Sequence, residues 1–228
     1  MVGKKIYLRR AFNTFCPRFI FKILDFFRGL VRKQVREHWR MQDFSDRHGY
    51  DKYDYPQEKL DVILSKTIRE LASSNESILD LGCNTGRQLR GLNEIGYKRL
   101  TGLDISPNAI KQAKIKPDSS GIEFIEGSFE KKLPEFVLKN RKFDLIYSAG
   151  AGICLVYPAF DVVKYICKLS RKYAVLVNQH NNGYPRIWEY EFERWGFKII
   201  KFLRTVDGKD FTTSANETFS LAIYCKIS

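Results

Sequence analysis

Gly82, Asn84 and Gly86 stand at alternate positions in ILDLGCNTGRQL, residues 78–89. Small, turn-permissive residues at that spacing, after an apolar run and before a helical pattern, predict a tight turn. Such a turn brings backbone N–H groups close to a ligand at the carboxyl end of a strand. Asp104 closes the next apolar run, about twenty residues on, where a carboxylate can accept hydrogen bonds from both hydroxyls of an adenosine ribose. The chemistry these residues predict is the binding of a nucleoside cofactor.

The spacing also discriminates between cofactors. A dinucleotide fingerprint needs glycine at its second position for approach of the pyrophosphate and at its third for close helix packing. Those positions are Asn84 and Arg87 here. Asn accepts a left-handed backbone where a turn demands it, but its side chain would intrude on a pyrophosphate, and Arg87 removes the third glycine. A cofactor without phosphates tolerates both, which favours S-adenosylmethionine over NAD. A third chemical candidate is His180, in NQHNN directly after the fifth strand-like run. Imidazole titrates in the range a general base needs, while a histidine that bonds neighbouring loop backbone fits the same position. His48 and the tyrosines of HGYDKYDY fit a lid or ordinary loop chemistry equally.

Elements must position these groups. Strand-like runs fall at 77–81, 99–104, 122–127, 143–148, 173–178, 196–203 and 219–227. Helical patterns lie between them at 86–95, 107–116, 130–139, 159–170 and 185–195, and an amphipathic helix through Leu60, Ile63, Leu64, Ile68 and Leu71 precedes them. Ser106-Pro107 supplies a cap and a first-turn proline directly after the second strand. Strands alternating with helices predict βαβ units, hence an α/β, doubly wound, mostly parallel sheet covered on both faces. The last two strands have no helix between them and fit an antiparallel pair.

ILDLGCNTG followed by LTGLDISPNAI resembles the first two motifs of class I S-adenosylmethionine-dependent methyltransferases, and EGSFEK (126–131) and FDLIYSAG (143–150) sit where that family has its adenine-contacting and fourth-strand segments. The match spans about residues 60–228 and implies a seven-stranded Rossmann-like sheet with its last strand antiparallel. By this resemblance the cofactor is S-adenosyl-L-methionine. Gly82, Cys83 and Gly86 would line its methionine end, Asp80 and Asn84 would belong to the same cofactor-binding site, Asp104 would hold the ribose, and Ile105 would pack on the adenine. Ser128 and Phe129 would contact the adenine ring and its amino group, and Tyr147 and Ser148 would border the transferable methyl. Tyr147 and His180 are the expected catalytic residues; no metal is expected. The fourth-strand end, SAGAG, lacks the Asn/Asp-Pro-Pro-Tyr/Phe pattern of amino-group methylases, and without a Pro-Cys it offers no nucleophile for cytosine C5 chemistry. A fainter resemblance to methyltransferases of sugar and polysaccharide pathways implies a small or lipid-linked acceptor, methylated at a hydroxyl. A cofactor-binding scaffold without turnover and a nucleic-acid methyltransferase are the alternatives.

Charge sets the N-terminus apart. Residues 1–40 hold eleven basic and two acidic side chains, net +9 of the chain's +13. From Pro17, Ile20, Ile23, Leu24, Phe27, Leu30 and Val31 recur at helical spacing opposite Arg18, Lys22, Arg28, Arg32 and Arg36. The expected organisation is therefore a basic amphipathic helical arm at 1–43 and a methyltransferase domain at 44–228. Three readings of the arm stand open: an anionic membrane surface, nucleic acid, for which the apolar stripe is unnecessary, or packing on the domain or a second subunit. Five scattered cysteines without a CxxC pair argue against a disulfide scaffold or a zinc site. No run approaches the roughly 18 apolar residues of a membrane span, and charges interrupt any signal-peptide core. The expected location is cytoplasmic, with peripheral attachment to the inner membrane face if the arm binds lipid.

Overall fold

The structure is a computed structural model that describes residues 58–150, 152–157, 159–177, 186–203, 205–206, 209–212 and 218–227, with positions 11, 12, 14–17, 20, 37, 40 and 41 of the arm. Helix α1 (Glu58–Leu71) leads into strand β1 (Ser77–Leu81), followed by α2 (Arg87–Glu94), β2 (Arg99–Asp104), α3 (Pro107–Ile115) and β3 (Glu123–Glu126). Then come α4 (Phe129–Leu138), β4 (Phe143–Ala149), α5 (Val162–Leu169), β5 (Ser170–Val177), α6 (Trp188–Glu193) and β6 (Phe197–Leu203). Strands β7 (Thr205–Val206), β8 (Lys209–Thr212) and β9 (Thr218–Phe219) precede the last strand, β10 (Leu221–Lys226).

Seven strands form one sheet in the order β3-β2-β1-β4-β5-β10-β6. The pairs β1–β2, β1–β4, β2–β3 and β4–β5 are parallel, and β10 lies antiparallel between β5 and β6. The doubly wound, seven-stranded sheet and the antiparallel final pair read from the sequence are both borne out. A second sheet of β7, β8 and β9 was not read from the sequence, because each strand is only two to four residues long. Asp207-Gly208 separates β7 from β8 in the sequence, a dipeptide that favours a two-residue hairpin.

Every residue of β1 is buried, as expected for a central parallel strand with both faces covered. Its alternation feeds two cores. Leu79 and Leu81 join Ile146, Leu133, Phe136, Val163 and Ile166 beneath α4 and α5. Ile78 joins Leu145, Tyr147, Leu89, Leu64 and Ile68 beneath α1 and α2. In α1 the buried positions Leu60, Leu64 and Ile68 recur every four residues, so one stripe of that helix meets the sheet. At the amino ends of the strands the Asp144 carboxylate accepts from the Ser77 N–H at 2.9 Å and the Ser77 hydroxyl at 2.8 Å, binding β1 to β4. Chain order reverses between β1 and β4, so their carboxyl ends open the crevice where doubly wound sheets bind ligands.

Part of the arm touches this domain. The fully buried Arg186 guanidinium donates to the Thr14 carbonyl oxygen at 3.0 Å and to that of Cys16 at 3.4 Å, and the Ile187 N–H donates to Thr14 Oγ1 at 2.9 Å. The Phe15 ring meets Tyr190 of α6 edge-on, centroids 5.1 Å apart. The rest of the apolar stripe (Ile23, Leu24, Phe27, Leu30 and Val31) and the connector at 43–57, His48 included, lie outside the described residues. No helix among the described residues is long and apolar enough to cross a membrane.

Candidate functional site

The turn after β1 is built from left-handed backbone. Gly82, Asn84 and Gly86 have φ of 87°, 48° and 76°. Gly82 and Cys83 both aim their N–H groups at the Leu103 carbonyl, at 2.8 and 3.3 Å, which ties the turn to the end of β2. The Asn84 side chain turns back to accept the Thr85 N–H at 2.7 Å, so an asparagine holds a position where glycine is the usual solution. Gly86 is required twice over. It caps α2 with positive φ, and a Cβ there would lie 2.4 Å from the Phe124 ring of β3.

Asp104 ends β2 beside the turn. Its Oδ2 accepts the Asn84 N–H at 2.9 Å and its Oδ1 the Ser106 N–H at 2.8 Å. Burial pushes its carboxyl above the usual range, opposed by hydrogen bonds from Ser106, Asn84 and Ile105. The Ser106 hydroxyl accepts the Ala109 N–H at 3.2 Å and Pro107 opens α3, the capping arrangement expected from Ser106-Pro107.

Asp80 lies one residue before the end of β1 and is buried. Its Oδ2 accepts the Tyr147 hydroxyl at 2.9 Å, while Oδ1 is buried without a hydrogen-bond partner. Desolvation raises this carboxyl to about 8; the Asp104 charge adds to the rise, and the Tyr147 hydrogen bond and Arg87 oppose it. Arg87 forms an ion pair with Asp61 of α1.

The other candidates fall on both sides of the crevice. Ile105 follows Asp104 and is half-buried. The Gly127 N–H donates to the Asp104 carbonyl at 2.8 Å, which brings Ser128, the N-cap residue of α4, and Phe129 to the same edge of the sheet. Phe129 also packs over the turn: a Cβ on Gly82 would stand 4.0 Å from its ring and 3.8 Å from Gly152 Cα. Ser148 is buried and its hydroxyl donates to the Leu81 carbonyl at 2.8 Å. The Cys83 side chain points away from the turn, into the core; a Cβ on Gly102 would meet its sulfur at 2.7 Å, so only the Cys83 backbone faces the turn. Tyr147 is fully buried with its hydroxyl on Asp80, because β4 pairs with β1 in the register Asp80↔Tyr147. His180 lies outside the described residues. Sequence reasoning missed the Asp80–Tyr147 contact and the approach of Gly152 to Gly82. Polar residues at matched positions of two buried runs, ILDL and FDLIYS, were the available signal for the first; nothing local signals the second.

A left-handed turn after β1, an acid that closes β2 and a crevice at the switch point are features of nucleotide-binding α/β folds. Residues 72–201, over half of the chain, match the family model described as a methyltransferase domain, and the chain belongs to that family. It is 35% identical over 83 residues to uncharacterised methyltransferases of Schizosaccharomyces pombe (36% of this chain, 54% of theirs). With an uncharacterised protein of Methanocaldococcus jannaschii it shares 38% identity over 88 residues (37% of this chain, 39% of that protein). The chain thus spans about half or less of the length of the curated relatives it matches. Among solved structures, a TehB-like S-adenosylmethionine-dependent methyltransferase from Corynebacterium glutamicum superposes with TM-score 0.56 at 23% identity (71% of this chain, 86% of that one). Magnesium protoporphyrin IX methyltransferase from Synechocystis, crystallised with S-adenosylmethionine, gives 0.60 at 12% identity (86% and 96%). The class I methyltransferase fold and family are thereby established. S-adenosylmethionine is the methyl donor of that class, and the residues present fit it: an orphaned buried carboxylate oxygen suits its ammonium group, and no phosphate has to pass Asn84.

Proposed function

We propose that this chain transfers a methyl group from S-adenosylmethionine to a hydroxyl of a small or lipid-linked acceptor, a saccharide being the favoured class. The observation that carries the reading is the pairing of Asp104 with Asn84 across the turn, beside the unpartnered Oδ1 of Asp80. Asp104 receives the ribose hydroxyls, Asp80 the ammonium of the methionine end, and Gly82, Asn84 and Gly86 let the backbone approach. Ile105, Ser128 and Phe129 take the adenine, and Ser148 stands at the carboxyl end of β4 beside the turn. Bound there, the cofactor supplies a methyl carried on sulfonium sulfur. The protein's share of the reaction is then mainly alignment and exclusion of water. A hydroxyl acceptor also needs a base, and His180 in the segment after β5 is the proposed one.

Mass spectrometry of the purified protein for carried-over cofactor, with calorimetry against S-adenosylmethionine and NAD, tests the site. An acceptor screen that follows release of S-adenosylhomocysteine tests turnover. Binding without release from any acceptor would favour the scaffold reading, and selective uptake of NAD overturns the proposal.

Peripheral attachment to an anionic bilayer is the reading we favour for the arm. Phe12 and Phe15, a helical step apart, are 71% and 67% exposed on a segment that Arg186 holds to the domain, and nine net positive charges accompany them. Flotation with anionic but not neutral liposomes, lost in Phe12→Asp/Phe15→Asp, is the expected result. Equal capture by RNA would favour nucleic acid instead.

A further inference from the structure

Asp80 and Tyr147 sit directly opposite each other on neighbouring parallel strands at the point where the sheet's chain order reverses. Both side chains are buried among apolar neighbours on the α1–α2 side of the sheet. A carboxylate has two acceptor oxygens. Here the phenol occupies one at 2.9 Å, and the other is buried with no hydrogen-bond partner. An orphaned buried acceptor costs free energy that a donor arriving with a ligand would recover. The charged and titratable groups facing Asp80 are Tyr147 of β4, Asp104 of β2, the Cys83 thiol of the turn, and Arg87 of α2 with its partner Asp61 of α1. Arg87 pairs with Asp61, and no hydrogen-bond donor reaches the carboxylate's second oxygen.

We infer that Tyr147 is a positioning residue for the cofactor: its hydroxyl fixes Asp80 through Oδ2 and so presents Oδ1 to the ammonium group of the methionine end. This rests on the S-adenosylmethionine reading above. The Tyr147 hydroxyl is engaged by Asp80, so this role runs through that carboxylate. One consequence separates this role from ordinary core packing. Burial raises the Asp80 carboxyl to about 8, so near neutral pH it holds a proton in the cofactor-free protein. An ammonium requires the carboxylate, so binding releases that proton, and affinity climbs with pH toward about 8. The Tyr147 hydrogen bond favours the charged form; without it the climb must start from a higher pH.

The test is calorimetry with S-adenosylhomocysteine, which carries the same ammonium group, between pH 6 and 9 in buffers of different ionisation enthalpy. The wild-type chain should bind with release of a proton at pH 7. Tyr147→Phe keeps the ring and the packing. It should bind at least about tenfold more weakly at pH 7, remain weaker at pH 9 because Oδ1 is no longer held in place, and shift the profile upward by about one pH unit. Asp80→Asn should bind weakly with neither the proton release nor the rise, and it carries the test if Tyr147→Phe fails to fold. A Tyr147→Phe profile superimposable on wild type, or lowered equally at every pH, overturns the inference, as does an Asp80→Asn variant that keeps the wild-type rise. A wild-type chain that binds nothing overturns the cofactor reading itself, a result visible before any variant is compared.

Discussion

The Asn84 N–H donates to Asp104 Oδ2 at 2.9 Å, so the turn after β1 and the acid that ends β2 form one rigid unit. The acid's other oxygen is fixed by Ser106 at 2.8 Å, so both carboxylate oxygens are held by backbone N–H groups. Rigidity here lowers the ordering cost of binding.

Asp104→Ala should therefore act twice. Loss of charge-assisted hydrogen bonds to the ribose weakens S-adenosylmethionine binding by about 1 kcal/mol or more. Loss of the acceptor for two backbone N–H groups also lowers the melting temperature of the cofactor-free protein. Calorimetric affinity equal to wild type would remove Asp104 from the site.

Gly86→Ala should destabilise the fold by about 2 kcal/mol or more in urea denaturation. Left-handed backbone costs a β-carbon about 1–2 kcal/mol, and the new methyl would meet the Phe124 ring at 2.4 Å. Adding Phe124→Leu should recover only the steric part. Full recovery in the double variant would mean that the backbone conformation carries no cost, contrary to the φ of 76°.

The sheet was legible because its strands are bounded by turn chemistry and separated by helical periods: β1 and β2 occupy 77–81 and 99–104 as read. Boundaries slipped where one element runs into the next without a break. Strand β5 starts at Ser170, directly after α5, three residues before the apolar run that announced it, and α6 covers only Trp188–Glu193 of a longer pattern. The site was legible where it is local, as at Gly82, Asn84, Gly86 and Ser106. It was not legible where it depends on register. That Tyr147 meets Asp80, and that Arg186 meets Thr14 across most of the chain, follow from tertiary pairing alone.

Stability should fall as pH rises in the cofactor-free protein, and Asp80 should be a cause. Its carboxyl is held at about 8 in the fold, while an unfolded one titrates near ~3.9. Between those values the native state keeps a proton that the unfolded chain has released, so the native state loses ground as pH climbs from about 4 to about 8, with no further loss above. Asp80→Asn removes that slope. The variant should melt at least ~3 °C above wild type at pH 8, with the gain shrinking toward pH 5, even though its cofactor binding is impaired. A constant difference across that range would show that Asp80 does not titrate there.

Arg186 offers the sharpest test of how the arm is held. Its buried guanidinium reaches the Thr14 and Cys16 carbonyls and stands 3.4 Å from the equally buried Glu191, which Arg194 also approaches at 3.7 Å from the surface. Removing Arg186 leaves the buried Glu191 charge to the more distant Arg194 and takes the donor from two carbonyls, so Arg186→Met should cost about 3 kcal/mol. Adding Glu191→Gln should return part of that loss, because the weakly compensated buried charge is gone while the carbonyl contacts remain missing. Arg186→Lys keeps a charge but not a planar fork able to serve two carbonyls and a carboxylate together, and should fall between. Limited proteolysis reads the consequence for the arm: cleavage near Thr14 should accelerate in Arg186→Met and in the double variant alike. If the double variant regains wild-type protection, the charge balance around Glu191, and not the carbonyl contacts, holds residues 14–16 to the domain.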